Sequence, residues 1–307
     1  MPSRRQFIHA TAAAGAALAV QGTSKAMAQS DKKRIIVDAQ VHLWKAESED
    51  WKWVPGRKPQ LPEPFTIEKL VPMMDEAGVD RVVIVPPSWP GDRNDYALEA
   101  AKRYPNRFAV MGRIPLQKPD SAALLPKWKE QPGMLGIRLT FQRDQAAMLQ
   151  HADWVFPAAE KANVPIMFFA PDNIPRFAPI AERHPGLTLI IDHMGTTVEI
   201  AKEGRMKAAV DEVVKLAKFP NVSVKVSSTV NFTKEPYPFR DTFEHVKRCF
   251  DAYGPQRCHW GTDLTNSLAK ATYRQRIEQF TKELSFLSEE DKDWVMGKAI
   301  LARLNWA

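Results

Sequence analysis

The sequence predicts an α/β chain folded as a (β/α)8 TIM barrel. Two observations carry this expectation. Eight short, apolar, β-rich runs alternate with amphipathic helical patterns along the chain, and no G-x-G-x-x-G or P-loop follows any of them. Eight such units in roughly 250 residues match a barrel better than an open doubly wound sheet. No break in composition marks a second domain, so residues 29–307 are read as one barrel domain.

Residues 1–28 stand apart. Ser3-Arg4-Arg5-Gln6-Phe7-Ile8 is a twin-arginine pattern, residues 10–20 are mildly apolar, and Ala26-Met27-Ala28 offers a small-x-small cleavage site. The apolar run falls short of the ~20 residues that span a bilayer. The expectation is a signal removed after export by the twin-arginine machinery. A periplasmic protein then starts near Gln29, with no membrane association. The signal carries Arg4, Arg5 and Lys25 and no acid, leaving 40 basic against 36 acidic residues and a net charge of +4. That balance, without a dense Lys/Arg block, argues against nucleic acid and for a small-molecule substrate, with an anionic one favoured.

The first run, residues 35–44, follows a polar lead-in. Trp51, Trp53 and four prolines (Pro55, Pro59, Pro62, Pro64) then make a long irregular loop, read as a folded lid or pocket wall. The other runs lie at 79–86, 108–114, 134–141, 164–170, 187–193, 222–227 and 258–263. Helical periodicity fills 67–78, 95–104, 154–162, 206–218, 239–253 and 273–284, with Gly78 and Gly254 as stop signals, and 291–306 closes the chain. Cys249 and Cys258 lack zinc-finger spacing; a disulfide and two buried thiols are both open readings.

Polar residues interrupt these runs where barrel enzymes keep their chemistry, at the C-terminal strand ends. Alternation places Asp38, Gln40 and His42 on one inward face of the first run. For Asp38 a bond to a neighbouring strand and catalysis are equal readings. His193 ends the sixth run before Gly195, suited to proton transfer or oxyanion contact. Asp192, of opposite parity, is expected to face the helix layer. Asp263 ends the eighth run and is the general-base candidate, while His259, a layer deeper, is read as packing. Arg138 is expected to meet a substrate carboxylate, since a guanidinium matches that group in a bidentate way. Lys225, inside an apolar run, meets either an internal acid or a substrate anion. Arg143 is a substrate or surface cation, and His151, His184 and His245 read as solvated. Neither a Gly-x-Ser-x-Gly elbow nor a cysteine with a base partner supports nucleophilic catalysis.

Three motifs carry a family resemblance over residues 34–306. They are Val37-Asp38-Ala39-Gln40-Val41-His42-Leu43-Trp44, Ile191-Asp192-His193-Met194-Gly195 and Trp260-Gly261-Thr262-Asp263. The chain resembles the amidohydrolase superfamily in its amidohydrolase-2, metal-dependent TIM-barrel hydrolase branch. Asp-His-Met-Gly and Gly-Ile-Arg are similar to the lactonase-like subgroup that includes 2-pyrone-4,6-dicarboxylate hydrolase. The resemblance implies Asp263 activating water, His42 and His193 polarising a carbonyl or stabilising an oxyanion, and Arg138 binding a carboxylate. Gln40 and Lys225 are expected to assist in substrate binding. Two departures bear on cofactors. Gln40 stands where the family's first metal histidine is usual, and the fifth run, Val164-Pro165-Ile166-Met167-Phe168-Phe169, has no histidine. A catalytic zinc takes three protein ligands, so no metal is expected and zinc is disfavoured. The leading expectation is a metal-independent hydrolase of a carboxylated lactone or cyclic ester. The alternatives are a metal-dependent hydrolase or decarboxylase using His42, His193 and Asp263, and a non-catalytic exported solute-binding barrel.

Overall fold

Eight parallel strands are hydrogen-bonded in chain order in a computed structural model that describes residues 33–307, the side chains of 143–145 excepted. The signal segment and the Arg143 side chain lie outside the described residues. The strands are β1 (Val37–Val41), β2 (Arg81–Ile84), β3 (Phe108–Gly112), β4 (Met134–Thr140), β5 (Ile166–Phe169), β6 (Leu189–Ile191), β7 (Val222–Ser227) and β8 (Cys258–Gly261). β8 returns to β1, where Asp263 N–H donates to Gln40 O (3.0 Å) and Thr262 N–H to the Asp38 carboxylate (2.8 Å). The (β/α)8 barrel is therefore the observed fold.

Near-continuous Val, Ile and Phe runs are what a strand covered on both faces requires. Inside the barrel Val37, Ala39, Val83, Val85, Met111, Met167 and Ile190 pack together, and Ile300 and Leu304 from the C-terminal helix complete the cluster. That helix lies close against the start of β1. A Cβ on Gly297 would come 2.6 Å from Ile35 O, so only glycine allows the approach.

Helices form where periodicity placed them, with altered ends. The fifth pattern starts as an α-helix only at Phe243, because Phe239 is left-handed (φ 65°) and a 3₁₀ turn intervenes. The sixth opens on a Thr272/Gln275 capping box and widens to π turns after Glu278. The closing helix begins at Glu289, two residues early, because Ser288 and Asp291 cap it reciprocally. The tryptophan loop is a wall: Trp51 is buried, donates to Asp95 Oδ1 (3.3 Å) and meets Tyr96 edge-on. Cys249 and Cys258 are buried free thiols, and burial pushes the Cys249 thiol up to about 12.

The predicted strands overrun at their C-terminal ends. β6 stops at Ile191 and β8 at Gly261, and the next residues turn left-handed: His193 (φ 53°), Met194 (54°) and Asp263 (51°). Non-glycine residues there are uncommon and mark positions that their surroundings hold in place.

Candidate active site

The left-handed turns aim side chains that alternation would have pointed elsewhere. Ile190 and Asp192 share the inner parity of β6, and Asp192 is fully buried beside Lys225 and Arg138 rather than in the helix layer. His193 should then face outward, but its positive φ swings the ring over the barrel mouth. The first motif also departs from strict alternation. A register shift between Asp38 and Val41 turns Asp38 away from Gln40 and His42. Its carboxylate accepts from Gln40 N–H, Thr262 N–H, Thr262 Oγ1 and Tyr273 Oη, tying β1 to the turn that carries Asp263. Asp38 is the strand-bonding acid of the two readings.

Gln40, His42, His193 and Asp263 do come together, on the floor of a cavity of about 710 Å³. Lys225 orients the amide of Gln40. An ammonium only donates, so Gln40 Oε1 faces Lys225 Nζ and Nε2 faces the histidines. Nε2 lies 3.0 Å from His193 Nε2, 3.4 Å from His42 Nε2 and 3.5 Å from Asp263 Oδ1. His193 Nε2 therefore accepts, and its Nδ1–H donates to Ser227 Oγ at 2.8 Å. Ser228 Oγ, 3.0 Å from that Nδ1, donates to Asp263 Oδ2 (3.1 Å), which also accepts from Asn266 Nδ2 (2.7 Å). His42 Nδ1 faces Val85 O at 2.7 Å, and its Nε2 sits 3.1 Å from Asp263 Oδ1. Both partners only accept, so each His42 nitrogen faces an acceptor to which it can donate.

Burial opposes charge on Asp263, but His193, His42 and Asn266 outweigh it and hold the carboxyl well below the usual carboxylate range. Burial, opposed by Asp263 and Asp192 and aided by Lys225 and Arg138, brings His193 from its usual 6.5 to about 4, leaving it neutral at pH 7. Beneath them, Lys225 is wholly buried with Nζ 2.6 Å from Asp192 Oδ1, and Arg138 Nε donates to Asp192 Oδ2 (3.1 Å). Burial raises Asp192, yet these two cations bring it below its usual range. Lys225 thus meets the internal acid and Gln40, and it does not line the cavity, contrary to the expectation of a substrate contact. Arg138 is shared: it binds Asp192 and Thr140 and also lines the cavity over Phe169.

Sequence reasoning missed Ser227, Ser228 and Asn266, although polar residues clustered at strand ends were the available signal. It also missed Arg57 and Lys58, which the tryptophan loop brings to the cavity lining. His259 is packing, as expected: fully buried, 3.0 Å from Ser223 Oγ, and kept neutral by burial. His151, His184 and His245 are absent from the lining.

The amidohydrolase-2 profile (Amidohydrolase) matches residues 37–302. The chain belongs to the amidohydrolase family. A twin-arginine signal profile matches residues 1–20, and the chain is exported to the periplasm. It is 28% identical over 239 residues to the L-fucono-1,5-lactonase of Burkholderia ambifaria, covering 74% of this chain and 79% of that protein. It is 27% identical over 231 residues to the 4-sulfomuconolactone hydrolase of Hydrogenophaga intermedia, covering 72% of this chain and 69% of that one. Among solved structures, an amidohydrolase from Burkholderia multivorans with bound zinc has a TM-score of 0.74 at 20% identity, covering 88% of this chain and 99% of that one.

An amidohydrolase barrel raises the question of a divalent ion between His42, His193 and Asp263. The residues of this chain do not fit one. Zinc takes lone pairs from nitrogen and oxygen at about 2.0–2.2 Å. Here the group between the three candidates is an amide N–H₂, which has no lone pair to give, and Lys225 takes the amide oxygen. β5 adds only Met167 and Phe169 where a further ligand would stand.

His193 gives this amidohydrolase a pH-dependent stability. Unfolded, its ring takes a proton near 6.5; folded, near 4. Between these values the unfolded chain binds more protons, so stability rises with pH and is lost as pH falls from 6.5 to 4. The separation corresponds to about 3 kcal/mol. Asp38, raised by burial, acts in the opposite sense, so the test is comparative. Unfolding free energies at pH 7 and 4.5 should differ less in His193→Asn than in the wild type, and equal differences would contradict this account.

Proposed function

We propose that this amidohydrolase is a metal-independent hydrolase that opens anionic lactones or similar cyclic esters. The observation that carries the reading is the contact between Asp263 and His42 at the cavity floor, 3.1 Å apart, with Gln40 in the space between the histidines. In this reading Asp263 holds a water against the lactone carbonyl. As the water attacks, the carbonyl oxygen gains charge and draws the His42 Nε2–H away from Asp263 Oδ1. Losing that donor makes Asp263 more basic at the moment it must accept the water's proton. Collapse of the tetrahedral intermediate breaks the ring C–O bond. The leaving alkoxide recovers the proton from Asp263, and the product is a hydroxy acid. The relatives named as lactonases support the ester as the bond cleaved.

The cavity walls support an anionic substrate. Arg57, Lys58 and Arg138 line it against Glu199 and the paired Asp263. Arg113 lies buried nearby with Nη1 unpartnered among the described residues. Burial pushes its guanidinium down to about 10 against the pull of Asp92, 3.2 Å from Nε, and Arg138 and Arg57 act in the same direction as burial. A carboxylate or sulfonate remote from the scissile ester would relieve this mutual repulsion.

The test is a panel of neutral and carboxylated lactones assayed on mature protein with and without chelator. The expected result is ring opening of carboxylated members at rates that chelation changes by less than about twofold. Loss of activity on chelation, restored by zinc or manganese, would overturn metal independence. A ligand-induced tryptophan fluorescence change without ring opening would make the barrel a solute-binding protein instead.

A further inference from the structure

We infer that Lys225, acting through the carboxamide of Gln40, takes the place and the electrostatic role of a divalent ion between His42, His193 and Asp263. The inference rests on the reading of this cavity as a hydrolytic site. A metal ion at a barrel mouth does two physical things: it gathers its ligands at one point, and it lowers the energy of negative charge there. Gln40 Nε2 does the first by facing His193 Nε2 at 3.0 Å and Asp263 Oδ1 at 3.5 Å, and Asp263 Oδ1 in turn holds His42 Nε2 at 3.1 Å. Lys225 does the second from the layer below.

Three features make the arrangement a built device rather than a filled gap. The amide cannot flip, because its oxygen faces an ammonium that only donates. The ammonium is fully buried and held in place by Asp192, 2.6 Å away. Asp192 is itself held by Arg138, which leaves two cations around one acid and a positive balance beneath the amide. Withdrawing electron density through the Gln40 carbonyl strengthens its N–H donors. That keeps His193 Nε2 unprotonated and favours charge on Asp263. A divalent ion added to this set would sit against Lys225. The chain therefore carries one or the other, and Lys225 is a positioning residue for Asp263 and His193.

The experiment measures zinc binding by calorimetry on wild-type mature protein and on Gln40→His/Lys225→Met. The double variant restores a second strand-one imidazole and removes the competing charge, while Asp192 keeps Arg138. Wild type is expected to bind no stoichiometric zinc at micromolar concentration. The double variant is expected to bind one ion per chain at least about 100-fold more tightly. Equal affinity in the two proteins, or stoichiometric zinc in wild type that His42→Ala abolishes, would overturn the inference. Should the double variant fail to fold, Gln40→Glu decides the matter by NMR titration of His193. A carboxylate oxygen facing Nε2 in place of N–H should raise that titration by more than two pH units, and an unchanged titration counts against the inference. Neither readout needs a substrate, so an inert lactone panel would remove the proposed reaction and leave this inference standing. With an active lactone, Lys225→Met should move the acid limb of the kcat/KM profile up by at least about one unit while KM changes less than threefold. An unmoved limb would mean that Lys225 serves packing alone.

Discussion

Asp263→Asn is expected to fold as wild type and to lose about 10²–10⁴-fold in kcat, the range for removing a positioned general base. Fold retention follows from the backbone, since φ 51° at this position suits asparagine better than other residues. It follows also from the hydrogen bonds. The Asn oxygen can accept from Asn266 and Ser228, and its amide can donate to His42 Nε2 once His42 holds its proton on Nδ1 toward Val85 O. What the variant lacks is an atom able to take a proton from water. Matched melting temperatures with a collapsed turnover are the expected pair of measurements. Full turnover on a lactone would remove Asp263 from the chemistry.

The largest effect on stability is expected at Asp192. Asp192→Ala leaves Lys225, with no exposed surface, and Arg138, 9% exposed, without their shared acid. Breaking a buried pair by removing one partner costs about 3–5 kcal/mol, because the remaining charge stays desolvated. Denaturant unfolding of the two proteins reads this directly, and a loss below about 1 kcal/mol would show that water reaches the layer. Asp192→Asn should fall between the two, since an amide oxygen can still accept from Lys225.

Much of this was legible locally. The barrel followed from eight apolar runs and the helices between them, because strands buried on both faces and helices buried on one have different periods. Asp263, His193 and His42 were found because a polar residue ending an apolar run has a place to go in a barrel and few places elsewhere. Parity misled at two of the three motifs. At β6 it assigned Asp192 to the helix layer, although Asp192 packs inward and His193 enters the cavity only through a left-handed turn. At β1 a register shift separated Asp38 from Gln40 and His42. Alternation is a property of continuous strand, and the site is built where the strand stops.

By itself, then, the sequence determined the barrel, its export signal and the residue types gathered at its mouth, because these are set by composition and local period. Only the tertiary structure decided that Lys225 meets Asp192 and Gln40 beneath the cavity rather than lining it. It also decided that a carboxamide stands between His42, His193 and Asp263, and that loop residues Arg57 and Lys58 reach the cavity. Those partners lie up to 223 positions apart in the chain. Their meeting depends on barrel closure and on the left-handed turns after β6 and β8 that the fold holds in place, and neither leaves a mark on the local pattern.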